Sequence, residues 1–536
     1  MSFRSAFLLL FALSTQQLFA QQPGVQRPKL VVGVVIDQMR YDYLYRFYDR
    51  YGTGGFRRLL EQGHSCEQAM INYLPAYTAP GHACIYTGSV PSVHGIAGNN
   101  WIDNLTRRAW YCTEDTTVTP VGGTHPLLRQ SPRNLRGTTI TDELNLATNF
   151  RSRVIGISLK DRGSILPAGH TGKAFWYDDK SGNFVTSTYY SNSLPGWMER
   201  FNARKLPDSL AATGWQLSAP AERYRQSLPD SNAYEAAFRG GGVTFPHSFA
   251  PASYKSVIRS IPAGNTFVLE AAKACLDGER LGRGEATDVL AVSLSSTDYI
   301  GHQFAPNSVE IEDTYVKLDR DLAAFLDYLD SRVGKDNYLL FLTADHGGAH
   351  NVRFLNDIRV PAVNRDEDSI AKALKDWAYR TLGDSTVVHW VMNYQVFLKK
   401  SESYPDLDVV KAKLTEYLLQ DPEIAYVLDM EHPESAAVPE PVRAMAVNGY
   451  NRQRSGELLI LFHPGSYFGY GQTGTTHGTW HPYDSHIPLL WYGWGIRKGA
   501  TRRTVHMTDI SATLAALLHI QMPSGCIGTV IPEVIR

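Results

Sequence analysis

Cysteine is scarce in this chain. Five are spread over 536 residues, Cys66, Cys84, Cys112, Cys275 and Cys526, and no two form a CxxC pair. That spacing excludes thiolate zinc sites and thioredoxin-type redox chemistry, while an oxidising compartment leaves room for one or two disulfides and one leftover thiol. A basic excess is also missing. Lys and Arg number 52 against 53 Asp and Glu, a formal net charge of -1, so no nucleic-acid surface is expected. There is no internal repeat and no low-complexity tract. Beyond the N-terminus no apolar run is long enough to span a bilayer, so no stable membrane insertion is expected.

The first twenty residues, MSFRSAFLLLFALSTQQLFA, carry Arg4, an apolar run from Ala6 to Leu13 and a polar patch ending on Ala20. That run fits the core of a signal peptide and is too short for a membrane span. Residues 1–20 therefore read as a signal peptide, and the mature chain as an exported soluble protein, periplasmic or secreted. Its 43% hydrophobic content is enough for a large core.

Three apolar runs end on an acid: LVVGVVID on Asp37, VLAVSLSSTD on Asp298 and YLLFLTAD on Asp345. Near-continuous Val, Ile and Leu runs are the mark of strands covered on both faces, and an amphipathic helical pattern follows at 309–333. The expected fold is α/β, with a mainly parallel central sheet flanked by helices. In such sheets ligands bind beyond the carboxyl ends of the strands, so three carboxylates meet on one rim. The stretches of about 170–290 and 355–470 lack this rhythm and read as insertions that roof or flank the sheet. The site draws on residues from 37 to 477, so residues 21–536 are expected to form one elaborated catalytic domain.

Asp298 and His302 are four residues apart, on one face of a helical turn, a spacing suited to holding a metal together. Asp345 and His346 are adjacent and converge only if the strand has ended; Gly347 and Gly348 allow that turn. A further imidazole is sought in GYGQTGTTHGTWHPYDSHIPLL, which offers His477, His481 and His486. His477, in a loop of Gly and Thr, is the first choice and His486 the reserve. Asp and His without Cys suit Zn, Mn or Fe, and two such clusters suggest a two-metal site that clamps the entering and leaving oxygens of a displacement. In YTAPGH, Thr78 precedes a Pro suited to a first helical turn. It is either an N-cap or a hydroxyl nucleophile activated by metal.

Taken in order, VVIDQMR, YTAPGH, STDYIGH, LTADHG and GTTHG resemble the alkaline phosphatase superfamily, and most nearly its bacterial phosphate-irrepressible alkaline phosphatases with a Thr nucleophile. The similarity extends through GIAGNNW, SLKDRGSILPAGH and HMTDI, essentially the whole mature chain. The resemblance implies two zinc ions per chain, one held by Asp37, Thr78, Asp345 and His346 and the other by Asp298, His302 and His477. It implies a phosphothreonine at Thr78 that water then hydrolyses. It also assigns Asn99, Lys160 and Arg162 to the phosphoryl oxygens of small phosphate monoesters. A monomer is expected. Two dications and two basic side chains outweigh three carboxylates and an alkoxide, which suits a monoester dianion better than a monoanionic diester. The alternative is a phosphodiesterase or nucleotide pyrophosphatase on the same two-metal core.

Overall fold

Strands without a polar face must be covered on both sides, and five such strands form the centre of this molecule. The computed structural model describes residues 25–239, 241–469 and 471–536, so the expected signal peptide lies outside the described residues. The five strands are β1 (Leu30–Ile36), β2 (Val154–Ser158), β3 (Lys173–Asp178), β4 (Asp288–Leu294) and β5 (Tyr338–Thr343). All but the first residue of β3 are buried. They pair parallel in the order β5-β1-β4-β2-β3 within an eleven-stranded sheet.

Parallel neighbours need long crossovers, and helices supply them. The ones that matter for the site are α1 (Thr78–Thr87), α2 (Asp161–Ala168), α3 (Ser296–Phe304) and α4 (Val309–Arg332). Antiparallel strands extend both sides of the parallel centre: Leu489–Gly493 pairs with β5, and Asn183–Ser187 with β3. The first expected insertion thus starts inside the sheet. It lacks the rhythm of the other apolar runs, yet Ala174–Asp178 are buried on both faces as a strand.

The second irregular stretch builds a unit of its own. Strands β6 (Val388–Met392), β7 (Gln395–Leu398), β8 (Ile424–Asp429) and β9 (Leu458–Phe462) form an antiparallel sheet in the order β6-β7-β9-β8. Helix α5 (Glu367–Leu382) packs beside it. Leu374, Val396, Leu398, Leu458 and Ile460 belong to a hydrophobic cluster separate from that of the main sheet. The β6–β7 hairpin turns on Asn393 and Tyr394, at φ 58° and 64°, the left-handed pair that a two-residue type I′ loop requires. The Glu367 carboxylate steadies it by accepting the Asn393 N–H at 3.0 Å. All five cysteines are free, and all but Cys526 are buried, so none of the permitted disulfides is present.

Candidate active site

Three of the five parallel strands deliver an acid at the same edge. Asp37 follows β1 directly, Asp298 lies in the first turn of α3 after β4, and Asp345 and His346 follow β5. Thr78 opens α1. The cap position of that helix is Tyr77, and no side chain caps it, so Thr78 does not serve as the N-cap. Its Oγ1 lies 3.4 Å from His346 Nε2. The His346 nitrogen is in turn 3.5 Å from Asp37 Oδ1 and 3.6 Å from Asp345 Oδ2.

The helical spacing of Asp298 and His302 brings His302 Nε2 to 3.2 Å from Asp298 Oδ1. His477 arrives from the loop after the second unit, with Nε2 3.7 Å from the same oxygen. Its ring stacks on His346 at a centroid distance of 3.5 Å, which joins the two clusters. The other two candidates lie elsewhere. His486 meets the Glu67 carbonyl at 2.9 Å and stacks on Tyr41, and His481 packs against Trp480 and Tyr483.

Metal-ligand geometry is present twice. Asp298, His302 and His477 each offer a ligand atom within 4.8 Å of the others, as do Asp37, Asp298 and His346. The hydrogen bonds around them point the same way. The Nδ1 atoms of His302, His346 and His477 face the carbonyls of Thr475, Gly347 and Ala76 at 2.8, 2.9 and 2.8 Å. A carbonyl only accepts, so each Nδ1 carries the proton and each Nε2 keeps its lone pair for the cluster. Asp37 Oδ1 and Asp345 Oδ2 are buried with no hydrogen-bond partner, a costly state for an oxygen that no cation meets. The residues present therefore fit metal ions, and the donor types are those of zinc, manganese or iron.

Burial dominates the electrostatics. It resists ionisation of Asp298, yet the facing His302 and Lys160 hold that carboxyl well below its usual range. Asp345 has burial and then Asp37 against it, and is pushed well above. Burial also brings His346 down to about 4, outweighing its acidic neighbours. Lys160 enters this field from the start of α2, its Nζ 2.7 Å from Asp37 Oδ2 and 2.6 Å from Asp298 Oδ2. Arg162 donates from Nη1 to the Tyr111 hydroxyl at 2.9 Å, while its Nε is buried without a partner. The Asn99 side-chain oxygen accepts the Ala79 N–H at 2.9 Å, which fixes that amide at the N-terminus of α1.

Residues that sequence reasoning missed complete the frame. Gln38 donates from its backbone N–H to Asp345 at 3.2 Å and from Nε2 to Asp298 at 2.9 Å. His82 lies between the Thr78 carbonyl and Ser293 Oγ, at 2.9 Å from each. Both sit inside the motifs that carry Asp37 and Thr78, and that adjacency was the available signal. Tyr111, which holds Arg162, had none. Gly81 is fixed by contact: a β-carbon there would stand 2.6 Å from the Asp345 carbonyl oxygen and 2.7 Å from the Asp345 Cβ.

The class of the protein follows from what this edge of the sheet is able to do. Oxygen and imidazole donors gathered around one hydroxyl, with cationic side chains beside them, are the equipment of a metal-dependent phosphoesterase. Residues 31–484 match the family described as type I phosphodiesterase / nucleotide pyrophosphatase, and the chain belongs to that family, within the alkaline phosphatase superfamily. It is 48% identical over 522 residues to alkaline phosphatase PafA of Elizabethkingia meningoseptica, covering 96% of this chain and 95% of that protein. A crystal structure of wild-type PafA superposes with a TM-score of 0.94 at 47% identity, covering 96% of this chain and 100% of that one. Alkaline phosphatase PhoV of Synechococcus elongatus is 47% identical, over 96% of this chain and 94% of its own. A protein of Myroides odoratus named as a calcium-transporting ATPase is also 47% identical, over 96% and 95%. Among the described residues of the present chain, no helix is long and apolar enough to cross a membrane.

Proposed function

We propose that this enzyme is an exported alkaline phosphatase that hydrolyses phosphate monoesters through a phosphothreonine at Thr78. Asp37, Thr78, Asp345 and His346 hold one zinc ion, and Asp298, His302 and His477 the second. When bound, the two ions supply Lewis-acid stabilisation of the oxygens that enter and leave phosphorus. The chain's own residues do the rest. Thr78 Oγ1 forms the bond to phosphorus as the ester oxygen departs, and water later releases the phosphoryl group as inorganic phosphate. Asn99, Lys160 and Arg162 meet the non-bridging oxygens, where the charge of a loose phosphoryl transition state resides.

The observation that carries the choice of a monoester is Lys160, whose ammonium reaches the space between Asp37 and Asp298, with Arg162 two residues further on. A monoester dianion presents three charged oxygens to these groups. A diester replaces one of them with a substituent and has less charge to offer. The second reading, a phosphodiesterase, is favoured by the description of the family itself. The ratio of kcat/KM for a p-nitrophenyl monoester and its bis-p-nitrophenyl diester decides between them. We expect the monoester to win by orders of magnitude; preference for the diester overturns this reading. Metal analysis of the purified enzyme is expected to return two zinc ions per chain, and N-terminal sequencing of exported protein a start near residue 21. The mature chain, residues 21–536, acts as a single catalytic domain and as a monomer.

A further inference from the structure

A cavity of about 280 Å³ opens beside the metal-ligand cluster. His302 forms its inner end. That side chain is 37% exposed, against 0–5% for Asp37, Asp298, Asp345, His346 and His477, so His302 is where the cluster meets open space. Tyr77, the residue before Thr78, stands on one side. The far wall comes from the second unit: Asn364 and Glu367 at the start of α5, with Tyr467 and Phe468 after β9. Asn364–Arg365 pairs as a short parallel ribbon with Tyr467–Phe468, which holds the polar and aromatic walls in register.

Direction connects this cavity to the reaction. Thr78 stands nearest His346, 3.4 Å away, whereas His302 belongs to the opposite group of ligands around Asp298. An in-line displacement puts the departing oxygen across phosphorus from the attacking one. A line from Thr78 through the phosphoryl group therefore runs toward the His302 side, into the cavity. Three aromatic side chains, Tyr77, Tyr467 and Phe468, line it, a composition suited to a flat or cationic group. Glu367 is the cavity's one carboxylate, and among the described residues no Lys or Arg lines it.

We propose that this cavity is the leaving-group subsite and that Glu367 sets its charge preference. The subsite takes aryl, hydroxylated or amine-bearing alcohols and disfavours leaving groups that carry further negative charge, such as a second phosphate. The proposal rests on the monoesterase reading above. Burial raises the Glu367 carboxyl only to about 7, so at pH 9 it is ionised and repels a nearby anion.

The test is a pair of aryl phosphates alike except for a distal trimethylammonium or carboxylate, with kcat/KM measured at pH 9. The wild type is expected to favour the cationic ester, by about tenfold or more. E367Q, which keeps an oxygen for the Asn393 N–H, is expected to lower that ratio by about tenfold. N364D, which adds a carboxylate to the same wall, is expected to raise it. A ratio unmoved by both variants, or moved in the opposite sense, overturns the subsite. p-Nitrophenyl phosphate and its diester are assayed alongside. A wild type that prefers the diester overturns the monoesterase reading and the subsite together, whereas a monoesterase whose ratio ignores Glu367 overturns the subsite alone.

Discussion

The parallel sheet and the smaller antiparallel sheet follow different rules. In the first, chemistry sits where strands stop: Asp37 follows β1 directly, Asp345 comes two residues after β5, and Asp298 lies in the helical turn after β4. In the second, the strands carry none of the candidate ligands. That unit contributes surface instead, through Asn364, Glu367, Tyr467 and Phe468, and holds it on a hydrophobic core of its own. The groups proposed to make and break bonds are thus tied to the central parallel sheet, whose strands are buried on both faces. The groups proposed to face the leaving alcohol are held largely by a unit with its own hydrophobic core.

The sharpest test of this division is Thr78→Ala. It should fold with an unchanged Tm yet lose kcat by 10³ or more, roughly, because a covalent route is removed. Acid-quenched wild type should carry phosphate on Thr78, and label elsewhere breaks the assignment. Next comes His477→Ala, expected to lose about one zinc per chain, whereas His486→Ala keeps both; the opposite pattern transfers the role. Replacing Lys160 and Arg162 together by Ala should narrow the monoester-to-diester preference by about 10², the scale of losing a preorganised donor. Equal losses on both substrates remove the chemical basis for a monoesterase.

A core substitution in each sheet tests the comparison directly. Ile460→Ala in β9 and Leu342→Ala in β5 should each cost about 2–5 kcal/mol of stability, since both side chains are fully buried. Only the β5 change should also lower kcat. Equal effects on kcat would mean that the second unit helps set the metal geometry.

The smallest expected effect concerns a buried acidic pair away from the site. Burial, then proximity to Glu310, pushes Glu235 up to about 9, and burial does the same to Glu310. Raised carboxyl values mean that folding favours the protonated form. The stabilisation is complete below the unfolded value near 4.5 and is lost as pH rises through about 9. Glu235→Gln should therefore raise stability at pH 9–10 by about 1 kcal/mol relative to wild type, and by much less at pH 5. A pH-independent difference rules the pair out as the cause.

Much of this was legible in the sequence because apolar runs ending in Asp carry both the strand and the candidate ligand in one signal. Asp298 and His302 added a spacing that a helix turns into proximity. Where local pattern stops being informative, legibility fails too. Lys173–Asp178 is rich in aromatics and read as a cap, although a strand buried on both faces accommodates them equally well. The stack of His477 on His346 and the meeting of Asn364 with Tyr467 join residues more than a hundred positions apart, and only the folded chain brings them together. Tyr111 reaches Arg162 from a short strand, Ala109–Tyr111, that carries no motif of its own.

The missing side chain at Gly81 has one last consequence. Its helix rests on the Asp345 backbone with no room for even a methyl group between them, so the interval between the hydroxyl of Thr78 and the strand-end acid is gauged by main chain against main chain. That gauge owes nothing to the choice of neighbouring side chains. Substitutions at Asn364 or Glu367, across the cavity, leave that gauge untouched.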